Sequence, residues 1–232
     1  MKQETKTEPN KETIWIVIPS YNEQKNITNV IKKIKKEGYK NILVVDDGSK
    51  DKTSINAKKE GALVLKHAIN LGKGAAAKTG CDYAIKKGAK LLILMDGDGQ
   101  HKPEDIPRFI KKLKQKKSDI VFGYRKIDEN MPNLMKFGNW FISNSTKIIQ
   151  GINIKDTQSG FRCFTAEAYK KIRWQSTDYS MESEMISNVA KNKLKYSEIE
   201  IQTIYHDKFK GTTIFDGIKI FINILKFKFL GG

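Results

Sequence analysis

Cysteine is nearly absent from this chain of 232 residues. Only Cys81 and Cys163 occur, far apart and in no C-x-x-C pair, which excludes a disulfide framework and offers no zinc site of the usual spacing. A reduced, cytoplasmic chain is the expectation from so few thiols. Long apolar runs are missing as well. No stretch of 18 uncharged apolar residues exists, so no spanning helix is expected. Residues 1–11 are polar and charge-balanced, so no signal peptide is expected either. Acids are in deficit: 26 Asp+Glu stand against 43 Lys+Arg, a formal net charge of +17. No RRM, KH, zinc-finger or homeodomain signature accompanies that charge, so nucleic acid is not an expected partner.

The positive excess is mainly lysine, spread over residues 31–36, 58–59 and 111–117. Such a chain is drawn to anionic lipid or phosphorylated substrates. Plain solvated helix faces explain the same lysines. The length suits one sizeable domain with its own core.

Apolar runs and helical segments alternate. Strands are expected near 14–18, 41–45, 62–66, 91–95 and 119–123, and helices near 23–37, 51–60, 73–88 and 104–117. This order predicts an α/β fold with right-handed crossovers and a mainly parallel sheet flanked by helices, in a single domain. Gly38, Gly61 and Gly88 mark helix ends, and Pro103-Glu104-Asp105 marks a helix start. Residues 1–12 read as a disordered tail, 13–123 as one functional half and 124–213 as a second. The second half is less regular, with helices expected near 134–150 and 181–192 and a strand near 195–204. Residues 214–232 form a C-terminal appendage.

Chemistry concentrates at strand ends. Residues 91–95 are apolar and run into Asp96-Gly97-Asp98-Gly99-Gln100-His101. Open α/β sheets bind ligands at the C-terminal ends of their strands. Two carboxylates at i and i+2 on extended backbone can face one hard cation, and Mg²⁺ or Mn²⁺ held so commonly also contacts a diphosphate. A polar D-G turn is the bland alternative. Two further strands end alike: residues 42–45 run into Asp46-Asp47-Gly48-Ser49, and residues 14–18 into Pro19-Ser20-Tyr21-Asn22-Glu23.

The motifs P-S-Y-N-E, V-V-D-D-G-S, N-L-G-K-G and D-G-D-G-Q-H, in this order, resemble the family-2 inverting glycosyltransferases of the GT-A (Rossmann-like) fold. More closely they resemble its dolichyl-phosphate mannose synthase and dolichyl-phosphate glucosyltransferase branch, over roughly residues 13–213. The resemblance implies a hexose moved from a nucleotide sugar, such as GDP-mannose or a UDP-sugar, to a polyprenyl phosphate. The runner-up within the fold is transfer to a glycan or small-molecule hydroxyl. The rival from another class is a basic membrane- or nucleic-acid-binding module without catalysis.

By the same resemblance, Pro19, Tyr21, Glu23, Val45, Asp47, Asp96, Gly97 and Lys208 meet the nucleotide sugar. Asp98 and Gln100 hold Mg²⁺ or Mn²⁺, with Asp98 and Arg125 assigned to catalysis. Arg125, Ser143 and Glu184 are candidates on the acceptor side. Asn139 stands where the family carries a second arginine, and Ile214 where it carries a later lysine. Asp156-Thr157-Gln158-Ser159-Gly160-Phe161-Arg162 resembles the family's D-x-x-S-G-F-R turn, with Gly160 expected to permit an unusual backbone angle. Lys73 of N-L-G-K-G is expected to add only minor charge, the small residues around it serving close packing. Glu182 and Glu184 read either as helix-start acids or as the base that a hydroxyl acceptor needs.

A lipid phosphate is largely ionised near pH 7, because its second pKa is about 6, and it needs cations rather than a base. The charge balance favours that acceptor. From 214 to 230, Ile214, Ile218, Phe221, Ile222, Leu225 and Phe229 fall on one helical face and Asp216, Lys219, Asn223 and Lys226 on the other. Such a helix would lie in a membrane interface, making the protein peripheral at the cytoplasmic face. The same apolar face leaves room for packing on the domain or on a membrane-protein partner.

Overall fold

The computed structural model describes residues 11–125 and 133–202, together with Ile222 and Leu225, which are both helical. Seven strands form one sheet: β1 (Ile14–Ser20), β2 (Ile42–Asp46), β3 (Leu63–Lys66), β4 (Leu91–Leu94), β5 (Ile120–Arg125), β6 (Arg162–Thr165) and β7 (Tyr196–Ile201). Their spatial order is β3-β2-β1-β4-β6-β5-β7. Six of them run parallel, and β6 is antiparallel to both neighbours. The apolar runs form parallel strands as expected, buried within the sheet and partly exposed in the edge strand β3. In β2 and β4 every residue is buried, as two covered faces require.

Helices cover the two faces. On one side lie α1 (Ile27–Lys36), α2 (Thr53–Lys59) and α4 (Ile106–Gln115). On the other lie α3 (Lys73–Lys86), α6 (Ala166–Ile172) and α7 (Met181–Lys191). The helix α5 (Asn133–Gln150) belongs to the second half of the chain. The α4 helix shows why the pattern was readable. Ile106, Phe109, Ile110 and Leu113 fall at helical spacing and are all buried, each worth roughly 1.5–3 kcal/mol of transfer free energy. Gly38, Gly61 and Gly88 follow α1, α2 and α3 with φ of 81°, 73° and 84°, the left-handed turn that ends a helix.

Three features depart from expectation. The first helix begins at Ile27 rather than near 23, because Asn22 sits at φ 55° and residues 23–26 form a turn closed on the Glu23 carbonyl. Lys11 and Glu12, inside the expected tail, form a 3₁₀ turn with Thr13, while residues 1–10 lie outside the described residues. The strand β6 and the helix α6 were not anticipated. Four residues starting with an arginine carry no strand signal, and β6 exists because β4 and β5 hold it from either side. Among the described residues no helix is long and apolar enough to cross a membrane. The expected interfacial helix at 214–230 lies outside the described residues apart from Ile222 and Leu225.

Candidate active site

The C-terminal ends of β1, β2 and β4 open into a cleft of about 520 Å³. The loop after β1 is tied to the loop after β2. The Asn22 N–H donates to Ser49 Oγ (2.9 Å) and the Glu23 N–H to Thr53 Oγ1 (2.8 Å). These ties hold Pro19, Tyr21 and Glu23 against the cleft, with Tyr21 43 % exposed. At the end of β4, Gly97 lies so close to β1 that a Cβ there would fall 2.4 Å from Ser20 Oγ. Asp98 Oδ1 accepts the Gln100 N–H at 2.9 Å across Gly99, whose φ is 79°. Asp96, Gly97, Asp98 and Gln100 all line the cleft.

Asp96 is the hub. Its N–H donates to His101 Nδ1 (3.1 Å), and its Oδ1 lies 2.9 Å from Lys73 Nζ. Burial pushes its carboxyl up, but its positive neighbours, Lys73 foremost, together hold it below the usual carboxylate range. Burial likewise lowers His101, against the opposing pull of Asp96 and Asp98. A neutral ring that accepts at Nδ1 carries its proton on Nε2, facing Asp96 Oδ2 at 3.9 Å. The ring stacks on Phe161 at 5.0 Å, so His101 braces the site from behind.

Lys73 has a larger part than its motif suggested. At the start of α3 its ammonium bridges Asp96 and Glu182, with Glu182 Oε1 at 3.0 Å. Burial opposes the charged form, yet the two carboxylates raise Lys73 well above the ordinary lysine value. Gly160 closes this cluster by leaving room. A Cβ there would lie 2.8 Å from Asp96 Oδ2 and 3.0 Å from Lys73 Nζ. Gly160 is not among the glycines of positive φ, so close approach rather than backbone angle is its reason. The packing expected of N-L-G-K-G is also present. Gly72 and Gly74 leave no space for side chains against the carbonyls of Thr177 and Ser176.

Other acids are spent on the fold. Asp47 borders the cleft, but its carboxylate accepts the N–H groups of Leu71 (3.0 Å) and Gly72 (2.7 Å) and pairs with His67 Nδ1 (2.7 Å). Asp46 is fully buried and takes the Ser49 N–H and the Ser54 hydroxyl. Glu184 accepts the N–H groups of Gln175 and Ser176 and the Ser176 hydroxyl, which fastens α7 to the preceding loop. Arg125 is clamped by Asp156, with Nε 2.7 Å from Oδ2 and Nη2 3.0 Å from Oδ1. Val45, Arg125, Ser143 and Glu184 lie outside the cleft lining. Val45 is wholly buried, and Ser143 Oγ donates to the Lys155 carbonyl at 3.3 Å. Lys208 lies outside the described residues.

The order of these parts along one mainly parallel sheet is that of a known family. Glycosyl transferase family 2 matches residues 15–173. The chain belongs to that family, and it is a glycosyltransferase. An uncharacterised protein of Methanocaldococcus jannaschii is 41% identical over 226 residues, covering 94% of this chain and 93% of the relative. The UDP-N-acetylglucosamine–dolichyl-phosphate N-acetylglucosaminyltransferase of Methanococcus voltae is 35% identical over 240 residues, covering 93% and 96%. Among solved structures, glucosyl-3-phosphoglycerate synthase from Mycobacterium tuberculosis, crystallised with Mn²⁺ and UDP-glucose, superposes with a TM-score of 0.71 at 17% identity. That superposition covers 93% of this chain and 78% of the other, and it establishes the GT-A arrangement of the fold.

Proposed function

We propose that this glycosyltransferase moves a hexose from a nucleotide sugar to a polyprenyl phosphate with inversion, using a divalent metal, at a membrane surface. The observation that carries the donor side is the charge of the cleft. In a protein of net charge +17, six carboxylates and one lysine line the cleft among the described residues. A diphosphate is repelled by such a wall unless a cation enters with it.

The residues suit Mg²⁺ or Mn²⁺. Asp98 engages one oxygen in its own turn, and Gln100 stands beside it, so hard oxygen donors meet at the rim. Among the described residues no group of three or more His, Cys, Asp or Glu could hold an ion without further ligands. Such sparse protein ligation is normal for ions that share their shell with substrate phosphates. The bound ion would neutralise charge on the departing diphosphate. Pro19, Tyr21, Glu23, Val45, Asp47, Asp96, Gly97 and Lys208 stay assigned to the nucleotide sugar. Asp47 acts there through the 70–72 loop that it fastens.

The acceptor assignment is supported by the Methanococcus voltae relative, whose name specifies a dolichyl phosphate. It is supported too by the way the candidate bases are held. Glu184 is occupied by three donors, and Glu182 is paired with Lys73. A lipid phosphate attacks without a base. In this reading Arg125, fixed by Asp156, serves as a phosphate ligand, with Ser143 on the same side. The amphipathic segment 214–230 supplies the membrane contact.

The test is a transfer assay with Mn²⁺, GDP-mannose, UDP-glucose and UDP-N-acetylglucosamine, and a short polyprenyl phosphate. A glycosyl phospholipid from at least one donor is the expected product. Transfer only to a free sugar or glycan hydroxyl contradicts the reading. Deletion of residues 214–232 should weaken pelleting with anionic liposomes and spare transfer to a short soluble acceptor phosphate. Undiminished pelleting removes the membrane role of that segment.

A further inference from the structure

We infer that Glu182 reads the sugar of the donor, accepting a hydrogen bond from a hydroxyl or an acetamido N–H through its Oε2. The inference rests on the nucleotide-sugar reading and adds the residue that discriminates among sugars. Glu182 opens α7, is 2% exposed and lines the cleft. Its Oε1 is 3.0 Å from Lys73 Nζ. Its Oε2 is buried and has no hydrogen-bond partner among the described residues. A buried carboxylate oxygen without a donor is costly and rare in native structures.

The donors nearby are committed elsewhere. Lys73 is shared with Asp96. Arg162, wholly buried, lies within electrostatic reach of the Glu182 carboxylate but donates its hydrogen bonds to the carbonyls of Ser159, Thr157 and Glu182 and to the Met185 sulfur. The Ser183 hydroxyl is itself buried without a partner, so it does not meet the Glu182 carboxylate. Among the described residues no donor is left for it, and the donor we assign is the sugar that fills the cleft. A diphosphate seated at Asp98 and Gln100 carries its sugar along the Asp96–Lys73–Glu182 wall, and a sugar is rich in hydrogen-bond donors. Lys73 is then a positioning residue that orients Asp96 and Glu182 together, and Gly160 leaves the space this requires.

The test measures binding, so it is independent of the acceptor. Calorimetry with Mn²⁺ compares UDP with UDP-glucose and UDP-N-acetylglucosamine, and GDP with GDP-mannose. It uses the full chain of wild type, Glu182→Ala and Glu182→Gln. The Ala variant should bind the preferred nucleotide sugar about tenfold or more weakly, the usual scale for losing a charged hydrogen bond. Its affinity for the free nucleotide should stay within about twofold. The Gln variant keeps side-chain volume, and its amide oxygen satisfies Lys73, which turns the NH₂ to the cleft. A sugar hydroxyl can rotate to accept from that group and loses little. An acetamido N–H cannot, and loses as much as with alanine.

Equal weakening of nucleotide and nucleotide sugar makes Glu182 a structural residue and overturns the inference, as does no weakening of either. Should the Ala variant not fold, deoxy and deacetylated sugar nucleotides decide the matter on the wild type. One analogue should lose about tenfold there and lose nothing further in Glu182→Gln. If every analogue binds like its parent, the inference is overturned. A wild type that binds no nucleotide breaks the donor reading, and this inference falls with it. Nucleotide binding without transfer to a polyprenyl phosphate breaks the acceptor reading alone.

Discussion

At the end of β2, Asp46 and Asp47 spend their carboxylates on their own chain. The first holds the turn into α2, and the second ties down the loop that leads to Lys73. At the end of β4, Asp96 is held by Lys73, while Asp98, among the described residues, accepts a hydrogen bond from the Gln100 N–H and lines the cleft. Both ends look alike as sequence, an apolar strand running into acids. They differ in what satisfies them. The β2 pair organises backbone, and the β4 pair presents charge. On the proposed reading, an acidic strand end becomes a ligand site only where its oxygens are left over after the fold has used its share.

Replacing one acid from each end tests this contrast. Asp98→Ala should reduce sugar transfer by about 100-fold or more, beyond the 10–100-fold cost of losing an outer-shell partner of a metal. Its folding stability should stay within about 0.5 kcal/mol of wild type. Asp47→Ala should do the reverse. It strands two backbone N–H groups and His67, and urea unfolding should show a loss of about 2 kcal/mol, with residual transfer. Should Asp47→Ala prove as stable as wild type and as inactive as Asp98→Ala, the two ends do the same job and the distinction fails.

A smaller effect separates Asp156 from both. Burial pushes its carboxyl up, but the Arg125 guanidinium holds it below the usual range. A folded value below the unfolded one, which lies near 4, gives stability that is present above that pH and lost as pH falls through the folded value. Arg125→Ala removes the guanidinium and leaves only the backbone N–H groups of residues 125 and 158 to oppose burial, so loss of stability on acidification should begin at higher pH than in wild type. Thermal midpoints between pH 7 and 3 would show it. Parallel curves would mean that the pair contributes nothing to acid tolerance.

The first half of the chain was largely legible in the sequence. The strands from β1 to β5 and the helices between them announce themselves by apolar runs, helical spacing and terminal glycines, all local signals. Within the second half, α5, α7 and β7 fall close to their expected spans. β6 and α6 do not announce themselves. They are four and seven residues long, and β6 is a strand only because it fills the space between β4 and β5. The acids at 96 and 98 were visible as candidates. That Lys73, Asp96, Gly160 and Glu182 form one cluster was not, because four separate segments meet there and no local pattern encodes the meeting. Likewise nothing in residues 46–47 distinguishes them from 96–98, since the partners that exhaust Asp47 lie some twenty residues onward, at His67, Leu71 and Gly72.

The central claim is that an acidic cleft accepts an anionic nucleotide only together with a divalent cation bound at Asp98 and Gln100. Calorimetry of wild type with UDP and with GDP, in Mn²⁺ and again in EDTA, tests it most directly. One nucleotide should bind in Mn²⁺, lose about 100-fold or more in EDTA, and show the EDTA-like weakness in Asp98→Ala even when Mn²⁺ is present. Equal affinity in Mn²⁺ and EDTA, with Asp98→Ala indistinguishable from wild type, would contradict the account.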